Sequence, residues 1–282
     1  MKLSAICMLF AFLGMPLVLL AKVKVEKNIG YGASSNDVRR QLNIYHKTKI
    51  DTAQDVVVFI HGGSWSTGKK DIYWWLGRNF ARKGVVTVTI NYGLAPDNQY
   101  GEMATDCAMA VKWVTNHISD YGGNPRRIFV MGHSAGAHLA ELINADPQYF
   151  KSVGIANPIM GVILNDPFGL DMHEYLTNAE KDSGYFNFLR TFTENAATWT
   201  KGSPLNYVDN IRNPQLIFYG QKTYPSIKIQ SERLNKVLLE REVPTEMYVI
   251  KNKMHVGMIT QMIFGCNVLY DYTLSFMKRN KI

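Results

Sequence analysis

The segment Gly132-His133-Ser134-Ala135-Gly136 restricts the fold of this chain more than any other feature of its sequence. Residues 128–131 before it form a short apolar run typical of a buried strand, and residues 135–145 after it are rich in alanine and leucine, as in a helix. A serine between two glycines at such a junction indicates a tight strand-to-helix turn that exposes the serine side chain at the end of a sheet. We therefore predict that Ser134 is a nucleophile.

Other short apolar runs alternate with longer amphipathic stretches along the chain. Because these runs are apolar on both faces, they are typical of central strands in a sheet that helices cover on both sides. The alternation predicts an α/β fold with a mostly parallel, doubly wound sheet. The predicted strands cover residues 56–60, 85–90, 128–131, 161–164, 215–219 and 247–250, and the predicted helices cover residues 73–83, 102–117, 135–145, 226–241 and 256–277.

The rest of the chain is expected to fit around this sheet as a single domain. No repeat, linker or low-complexity tract divides residues 22–282, and the 46% hydrophobic content is enough for one substantial core. The segment before residue 55 includes the alternating stretch Leu42-Asn43-Ile44-Tyr45, which suits antiparallel edge strands. Residues 167–210 show no clear period and carry many aromatic side chains, so we expect them to form a small cap over the strand ends.

The first 21 residues differ in composition from everything that follows. Lys2 precedes an uncharged, mostly apolar run over residues 3–20, and Ala21 stands where a signal peptidase would cut. This pattern is typical of a secretory signal peptide over residues 1–21. Since the run is also long enough to span a bilayer, an uncleaved N-terminal membrane anchor is the alternative. Both interpretations predict an exported protein, either periplasmic or secreted in the first case and membrane-anchored in the second.

Charge and cysteine content argue against several classes of function. The formal net charge is +8, but the lysines and arginines are scattered and are not interleaved with aromatic residues, so we expect no nucleic-acid partner. No closely spaced group of metal-ligating residues is visible, and we expect neither a metal ion nor another cofactor. Outside the leader, Cys107 and Cys266 form either one disulfide or two buried thiols, and the sequence leaves both open.

A histidine near the C-terminus is the expected base for Ser134, because chains with this type of turn carry the serine, the acid and the histidine in that order. His255 fits this position, since it follows the last predicted strand by a short polar loop and opens the final predicted helix. The other candidates are less well placed. His117 and His138 fall inside predicted helices, where structural histidines are common, and His173 lies in the predicted cap.

From about Tyr31 to its C-terminus, the chain resembles the α/β-hydrolase esterases of the HGG-type group. This group includes carboxylesterases, enzymes similar to feruloyl and acetyl xylan esterases, and kynurenine formamidases. The resemblance is specific through residue 140 and implies the α/β-hydrolase fold and a serine esterase activity. It rests on the segments Leu42-Asn43-Ile44-Tyr45, His61-Gly62-Gly63-Ser64-Trp65, Asn91-Tyr92-Gly93-Leu94-Ala95-Pro96, Tyr121-Gly122-Gly123-Asn124-Pro125 and Gly132-His133-Ser134-Ala135-Gly136-Ala137-His138-Leu139-Ala140.

The resemblance also assigns an oxyanion hole. The segment His61-Gly62-Gly63-Ser64-Trp65 directly follows an apolar strand, where a glycine pair can present backbone N–H groups to an anionic oxygen. In the family, this loop supplies oxyanion donors together with the amide of the residue after the nucleophile. The expected donors here are therefore the amides of Gly63, Ser64 and Ala135.

The triad acid is the point at which the sequence departs from the family pattern. The family usually places an aspartate after the penultimate core strand, whereas this chain reads Gly220-Gln221-Lys222-Thr223 there, with Thr223 in the position of the acid. One explanation is that the acid has moved to the end of the preceding strand, where Asp166 is our first choice and Asp171 the second. The other is a catalytically weakened protein whose hydrolase fold now serves binding.

We favour the first explanation and predict a serine esterase in which Ser134, His255 and Asp166 act together on a carboxylic ester. The expected substrate is a small-molecule or polysaccharide-linked ester, and an amide or formamide substrate is the alternative. Several aromatic side chains are candidates either for lining an aromatic or sugar-ester pocket or for packing the cap: Trp65, Tyr185, Phe186, Phe188, Phe192 and Trp199.

Overall fold

The computed structural model describes residues 22–32, 37–48 and 52–280, and these build one eight-stranded sheet. The strands are β1 Val23–Gly30, β2 Gln41–Lys47, β3 Gln54–Ile60, β4 Val86–Ile90, β5 Gly123–His133, β6 Ile159–Asn165, β7 Gln215–Gly220 and β8 Thr245–Ile250. Their spatial order is β1-β2-β4-β3-β5-β6-β7-β8. β2 is antiparallel to β1 and β4, and all other neighbours are parallel. The prediction of a mostly parallel sheet with antiparallel edge strands near the N-terminus is confirmed.

Helices cover both faces of the sheet. In the described part of the chain they are α1 Trp74–Arg82, α2 Tyr100–His117, α3 Ala135–Ala145, α4 Gln148–Ser152, α5 Met172–Asn178, α6 Ser183–Phe192, α7 Ala196–Lys201, α8 Pro225–Glu240, α9 His255–Thr260 and α10 Val268–Arg279. Neighbouring residues of β3 point to opposite faces. Val58 belongs to the core that contains side chains of α2, α3 and α8, and Val57 to the core that contains side chains of α1 and α10. The predicted doubly wound arrangement is therefore confirmed.

The parallel strands place the chemistry at one edge of the sheet. Because their carboxyl ends meet at the same edge, the segments that follow β3, β5, β6 and β7 lie close together. Those segments begin with His61, Ser134, Asp166 and Gln221. Residues that are far apart in sequence thus become neighbours at this edge.

Residues 167–210 contain helices that the sequence pattern did not reveal. α5, α6 and α7 lie here, followed by a 3₁₀ helix at Pro204–Asn210. Each α-helix begins with a side chain that accepts a hydrogen bond from a backbone amide of the first turn, supplied in order by Asp171, Asp182 and Asn195. Helices this short have too few turns to show a clear hydrophobic period. The residues that cap them are the sequence signal from which these helices could have been predicted. The division of the chain into hydrolase domain and cap stays a prediction.

The single helix predicted over residues 256–277 is wrong. The chain forms α9, a 3₁₀ helix at Gln261–Ile263 and then, after a break, α10. The side chain of Asn267 accepts a hydrogen bond from the amide of Leu269 and so caps the start of α10. His255 is the first residue of α9 and lies at the active edge of the sheet, and both α9 and α10 contribute side chains to the same hydrophobic core.

Glu141 in α3 is buried, and neither of its carboxyl oxygens has a hydrogen-bond partner among the described residues. Burial raises the pKa of this carboxyl to about 8, against about 4.3 in an unfolded chain. Between these values the folded protein keeps a proton that the unfolded chain has lost, so the free energy of unfolding falls as the pH rises.

We expect Glu141→Gln to remove this pH dependence, because glutamine stays neutral. At pH 8 its Tm should exceed that of the wild type by about 5 °C or more, and the difference should shrink toward pH 5. Calorimetry over this range measures the effect, with Glu240→Gln on the exposed face of α8 as the control. A difference in Tm that does not change with pH would contradict the assignment.

Two further predictions concern the N-terminal segment and the two cysteines. The predicted leader or anchor at residues 1–21 lies outside the described residues and stays a prediction. No helix within the described ranges combines the length and apolar character needed to cross a membrane.

Cys107 and Cys266 are both free thiols, the first buried and the second exposed. The disulfide is therefore not formed, and the expectation of two buried thiols is wrong for Cys266.

Candidate active site

Ser134 occupies a strained turn between β5 and α3. Its backbone has φ 56° and ψ −124°, a conformation that costs free energy for any residue other than glycine. The two flanking glycines make the turn possible. A Cβ atom at Gly132 would lie 2.2 Å from the carbonyl oxygen of Gly136, and one at Gly136 would lie 2.2 Å from that of Ile60. The serine is held at the start of α3, where free backbone N–H groups favour a nearby negative charge.

The structure brings Ser134, His255 and Asp166 into one hydrogen-bonded chain. The Oγ–H of Ser134 donates to Nε2 of His255 over 2.8 Å, and Nδ1–H of His255 donates to Oδ2 of Asp166 over 2.6 Å. The Asp166 carboxyl is fully buried, whereas the His255 side chain is 16% exposed. This arrangement orients the imidazole so that its free nitrogen faces the serine hydroxyl. The three residues chosen from the sequence therefore meet, and their catalytic role stays a prediction.

Asp166 is held from both sides by backbone and side-chain contacts. It directly follows β6 at φ 54°, and its amide donates to the carbonyl oxygen of Phe218 in β7 over 2.7 Å. Oδ1 accepts a hydrogen bond from the amide of Gly220 over 2.8 Å. The hydroxyl of Thr223 donates to Oδ2. The threonine in the usual position of the acid thus contacts the aspartate that has taken its place beside His255.

Asp171, the second choice for the acid, is engaged elsewhere. Its Oδ1 accepts a hydrogen bond from the amide of Glu174 over 2.8 Å and caps α5. Its Oδ2 lies 3.4 Å from the guanidinium of Arg233 in α8. Of the two carboxylates that the sequence offered, the one that bonds to His255 is Asp166.

The loop after β3 packs closely against the nucleophile. A Cβ atom at Gly62 would lie 3.1 Å from Cβ of Ser134, so a larger residue would press on the serine. Gly63 has φ 127°, and a Cβ atom there would lie 2.2 Å from the carbonyl oxygen of Thr67. Ser64 lines the same cavity as Ser134. The loop of the predicted oxyanion hole is therefore next to the serine, and the assignment of the amides of Gly63, Ser64 and Ala135 stays a prediction.

Three neighbouring histidines are uncharged supports rather than alternative bases. Burial lowers the pKa of His133 to about 3 and the pKa values of His61 and His138 to about 4. The ring of His133 stacks on that of His255, with centroids 4.9 Å apart. His138 accepts a hydrogen bond from Trp65 and donates one to the carbonyl oxygen of Gly202. His133 thus contacts the base, and His138 contacts Trp65 of the loop after β3.

A cavity of about 470 Å³ opens over Ser134 and His255. Five of its twelve lining residues are Phe, Tyr or Trp, and these include two of the side chains considered from the sequence, Trp65 and Phe188. Phe192 is fully buried and Trp199 nearly so, while Phe186 is exposed and outside this lining. The aromatic lining residues that sequence reasoning missed are Phe168, Tyr175 and Tyr224.

These missed residues come from three separate segments: the turn after β6, helix α5 and the residue before α8. No local pattern connects them, although Phe168 stands two residues after Asp166 and was close to a residue already chosen. The ring of Tyr224 lies 5.2 Å from that of His255, and the Tyr224 side chain is 55% exposed.

Within the described ranges, no group of three or more His, Cys, Asp or Glu side chains could hold a metal ion.

Comparison with known proteins points to one family. The BD-FAE family model matches residues 42–238. A probable isoprenylcysteine alpha-carbonyl methylesterase, ICMEL2 of Arabidopsis thaliana, is 26% identical over 268 residues, which cover 90% of this chain and 63% of the relative. Esterase LipQ of Mycobacterium tuberculosis is 30% identical over 206 residues, which cover 68% of this chain and 48% of the relative. The chain thus spans less than two thirds of the length of these curated relatives.

Solved structures show the same fold. The crystal structure of Esterase B from Lactobacillus rhamnosis has a TM-score of 0.76 at 21% identity, with 92% of this chain and 85% of that one covered. At this identity the likeness establishes the fold alone. The α/β-hydrolase fold predicted from the sequence is confirmed.

Proposed function

Since the chain belongs to the BD-FAE family, we propose that it is a carboxylic ester hydrolase that works through an acyl-enzyme on Ser134. The observation that carries this proposal is the hydrogen-bonded chain from Ser134 through His255 to Asp166, at the base of an aromatic cavity. Known relatives named as esterases support it. The bound ester would place its carbonyl carbon against Oγ of Ser134.

In the first half of the proposed reaction, Oγ attacks the carbonyl carbon while its proton passes to Nε2 of His255. The resulting imidazolium is stabilised by the Asp166 carboxylate at Nδ1. When the tetrahedral intermediate collapses, the bond to the alcohol oxygen breaks, and His255 returns the proton to the leaving alcohol. The acyl group remains on Ser134.

In the second half, water attacks the acyl-enzyme and gives a proton to His255. Collapse of the second tetrahedral intermediate releases the carboxylic acid, and Ser134 regains its proton from His255. In both halves, negative charge develops on the former carbonyl oxygen. We assign its stabilisation to the amides of Gly63, Ser64 and Ala135, because the loop after β3 and the first turn of α3 meet beside the nucleophile.

The alternative of a catalytically weakened binding protein is not supported by the surroundings of His255. That alternative rested on the absence of a carboxylate from the usual position, now occupied by Thr223. The buried carboxylate of Asp166 lies 2.6 Å from Nδ1 of His255, so the histidine does not lack an acidic partner. An amide or formamide substrate would use the same steps and is separated from an ester only by assay.

The cavity favours an ester with an apolar or aromatic part. Phe168 and Phe188 line the cavity that contains Ser134, and the fully buried Trp65 packs edge-on against both. A second groove, of about 500 Å³, meets the cavity at Tyr224 and His255 and provides space for the other half of the substrate. We propose a small-molecule or polysaccharide-linked ester that extends into both.

We also propose that the protein is exported, on the strength of the apolar leader at residues 1–21. Intact mass spectrometry of the protein recovered after expression in a bacterial host with its leader would distinguish the two forms. A mass that corresponds to residues 22–282 supports cleavage, and the full mass in the membrane fraction supports an anchor. The full-length protein in the cytosolic fraction would contradict export.

The proposed activity is tested with the protein lacking residues 1–21, using p-nitrophenyl acetate and p-nitrophenyl butyrate as substrates and a fluorophosphonate as probe. We expect ester turnover and labelling of about one site per chain, with the label on the peptide that contains Ser134. Folded protein that neither hydrolyses these esters nor reacts with the probe would contradict the proposal and favour a binding protein.

A further inference from the structure

Thr223 stands at the point where this chain departs from its family, and it is buried, with 7% exposure. It follows β7 in the turn before α8. Its hydroxyl donates to Oδ2 of Asp166, the same oxygen that accepts the hydrogen bond from Nδ1 of His255. One carboxylate oxygen thus receives two donors from residues 57 and 89 positions away in the sequence.

We propose that Thr223 is a positioning residue, which holds the Asp166 carboxylate in the orientation that lets Oδ2 meet His255. This inference rests on the proposed function and names a residue of the same site. The Thr223 hydroxyl hydrogen-bonds to the acid, and among the described residues it forms no hydrogen bond with His255 or Ser134, so we infer that its influence on the reaction passes through Asp166.

The geometry explains why the carboxylate needs this contact. A carboxylate attached by one single bond can turn about that bond, and its torsion is only broadly restrained. The amide of Gly220 fixes Oδ1, and the hydroxyl of Thr223 fixes Oδ2. Because Asp166 is fully buried, water is not available to replace a lost donor.

Both fixing groups belong to one short segment, since Gly220 ends β7 and Thr223 lies in the turn that follows. The amide of Thr223 donates to the carbonyl oxygen of Gly220 over 3.0 Å, and the amide of Lys222 donates to that of Lys253 over 2.8 Å. A Cβ atom at Gly220 would lie 2.4 Å from the carbonyl oxygen of Lys253, so the turn is tightly packed. In the family, the segment after β7 carries the acid. In this chain, the same segment instead holds the carboxylate of Asp166, which follows the neighbouring strand β6.

The first test compares Thr223→Val, which keeps the shape of the side chain but removes the hydroxyl, with Thr223→Ser, which keeps the hydroxyl. A hydrogen bond to a charged group is worth about 10- to 100-fold in an equilibrium or rate. We expect Thr223→Val to lower kcat by this factor with KM within about twofold, and Thr223→Ser to stay within about threefold of the wild type.

Thr273→Val provides the matched control. Thr273 is a fully buried threonine of α10 whose hydroxyl has no partner among the described residues, so the same substitution should leave kcat unchanged. Circular dichroism and thermal unfolding establish that each variant is folded. An unchanged kcat in Thr223→Val, or a rise in KM in place of the fall in kcat, would overturn the inference.

The second test asks whether Thr223 acts through Asp166. In the Asp166→Asn background, the carboxylate is gone, and we expect the added Thr223→Val substitution to change kcat by less than about threefold. A further loss as large as that in the wild-type background would show an independent structural effect and overturn the inference. If the wild type itself is inactive toward the esters, the proposed function fails first, and the two failures are thereby distinguished.

Discussion

Ester hydrolysis by the Ser134→Ala protein is expected to be about 10⁶-fold slower in kcat than by the wild type, because no nucleophile remains to form the acyl-enzyme. Substrate affinity should change little, since most of the cavity lining belongs to other residues. The exchange removes one oxygen at a position whose φ of 56° is strained, and alanine tolerates that conformation no better than serine does. Steady-state kinetics and fluorophosphonate labelling measure the loss.

Ser226→Ala is the matched control for this variant. Ser226 lines the same cavity and lies in α8, outside the hydrogen-bonded chain of Ser134, His255 and Asp166. We expect its kcat to stay within about threefold of the wild-type value. Retention of a per cent or more of the activity by Ser134→Ala, after exclusion of contaminating esterases, would remove Ser134 from the role of nucleophile.

Asp166→Asn should lower kcat by about 10⁴-fold, the size of the effect seen when an asparagine replaces the acid of a well-studied triad. The amide cannot stabilise the imidazolium that forms in each half of the reaction, and it can present an N–H group to Nδ1, which would favour the wrong tautomer of His255. The fold should survive, because asparagine tolerates the positive φ of 54° at this position. The measurement is kcat with p-nitrophenyl butyrate at several pH values.

Asp171→Asn tests the competing choice for the acid with the same chemical change. It replaces one N-cap residue of α5 by another and removes the charge that faces Arg233. We expect a loss of stability below about 1 kcal/mol and an unchanged kcat. If Asp171→Asn proves inactive while Asp166→Asn retains near-wild-type turnover, the assignment of the acid is wrong.

The turn at Ser134 could be predicted because its signal is local. Two glycines, a preceding apolar run and a following helical stretch lie within about twenty residues, and each is required by the same strand-to-helix geometry. His255 was predictable for a related reason, since its place after the last strand follows from chain order. The sheet was predictable because buried parallel strands carry apolar side chains on both faces.

The surroundings of Asp166 were not predictable in the same way. The sequence placed Asp166 after a strand, but it did not reveal that the last residue of β7 and the turn after it each supply a hydrogen bond to that carboxylate. Those contacts depend on β6 and β7 being neighbours in the sheet, which is a matter of topology rather than local pattern. The lining of the cavity by Phe168, Tyr175 and Tyr224 depends in the same way on the packing of separate segments.

The contact between Thr223 and Asp166 has a consequence for how such a site can evolve. Because the two side chains touch in a buried place, a carboxylate at position 223 would meet the one already at position 166, and two charges at that distance repel strongly. A stepwise exchange of the acid between the two positions is therefore expected to pass through an intermediate of lower activity. One intermediate carries two opposed carboxylates and the other carries none, so the two positions are expected to vary together among descendants.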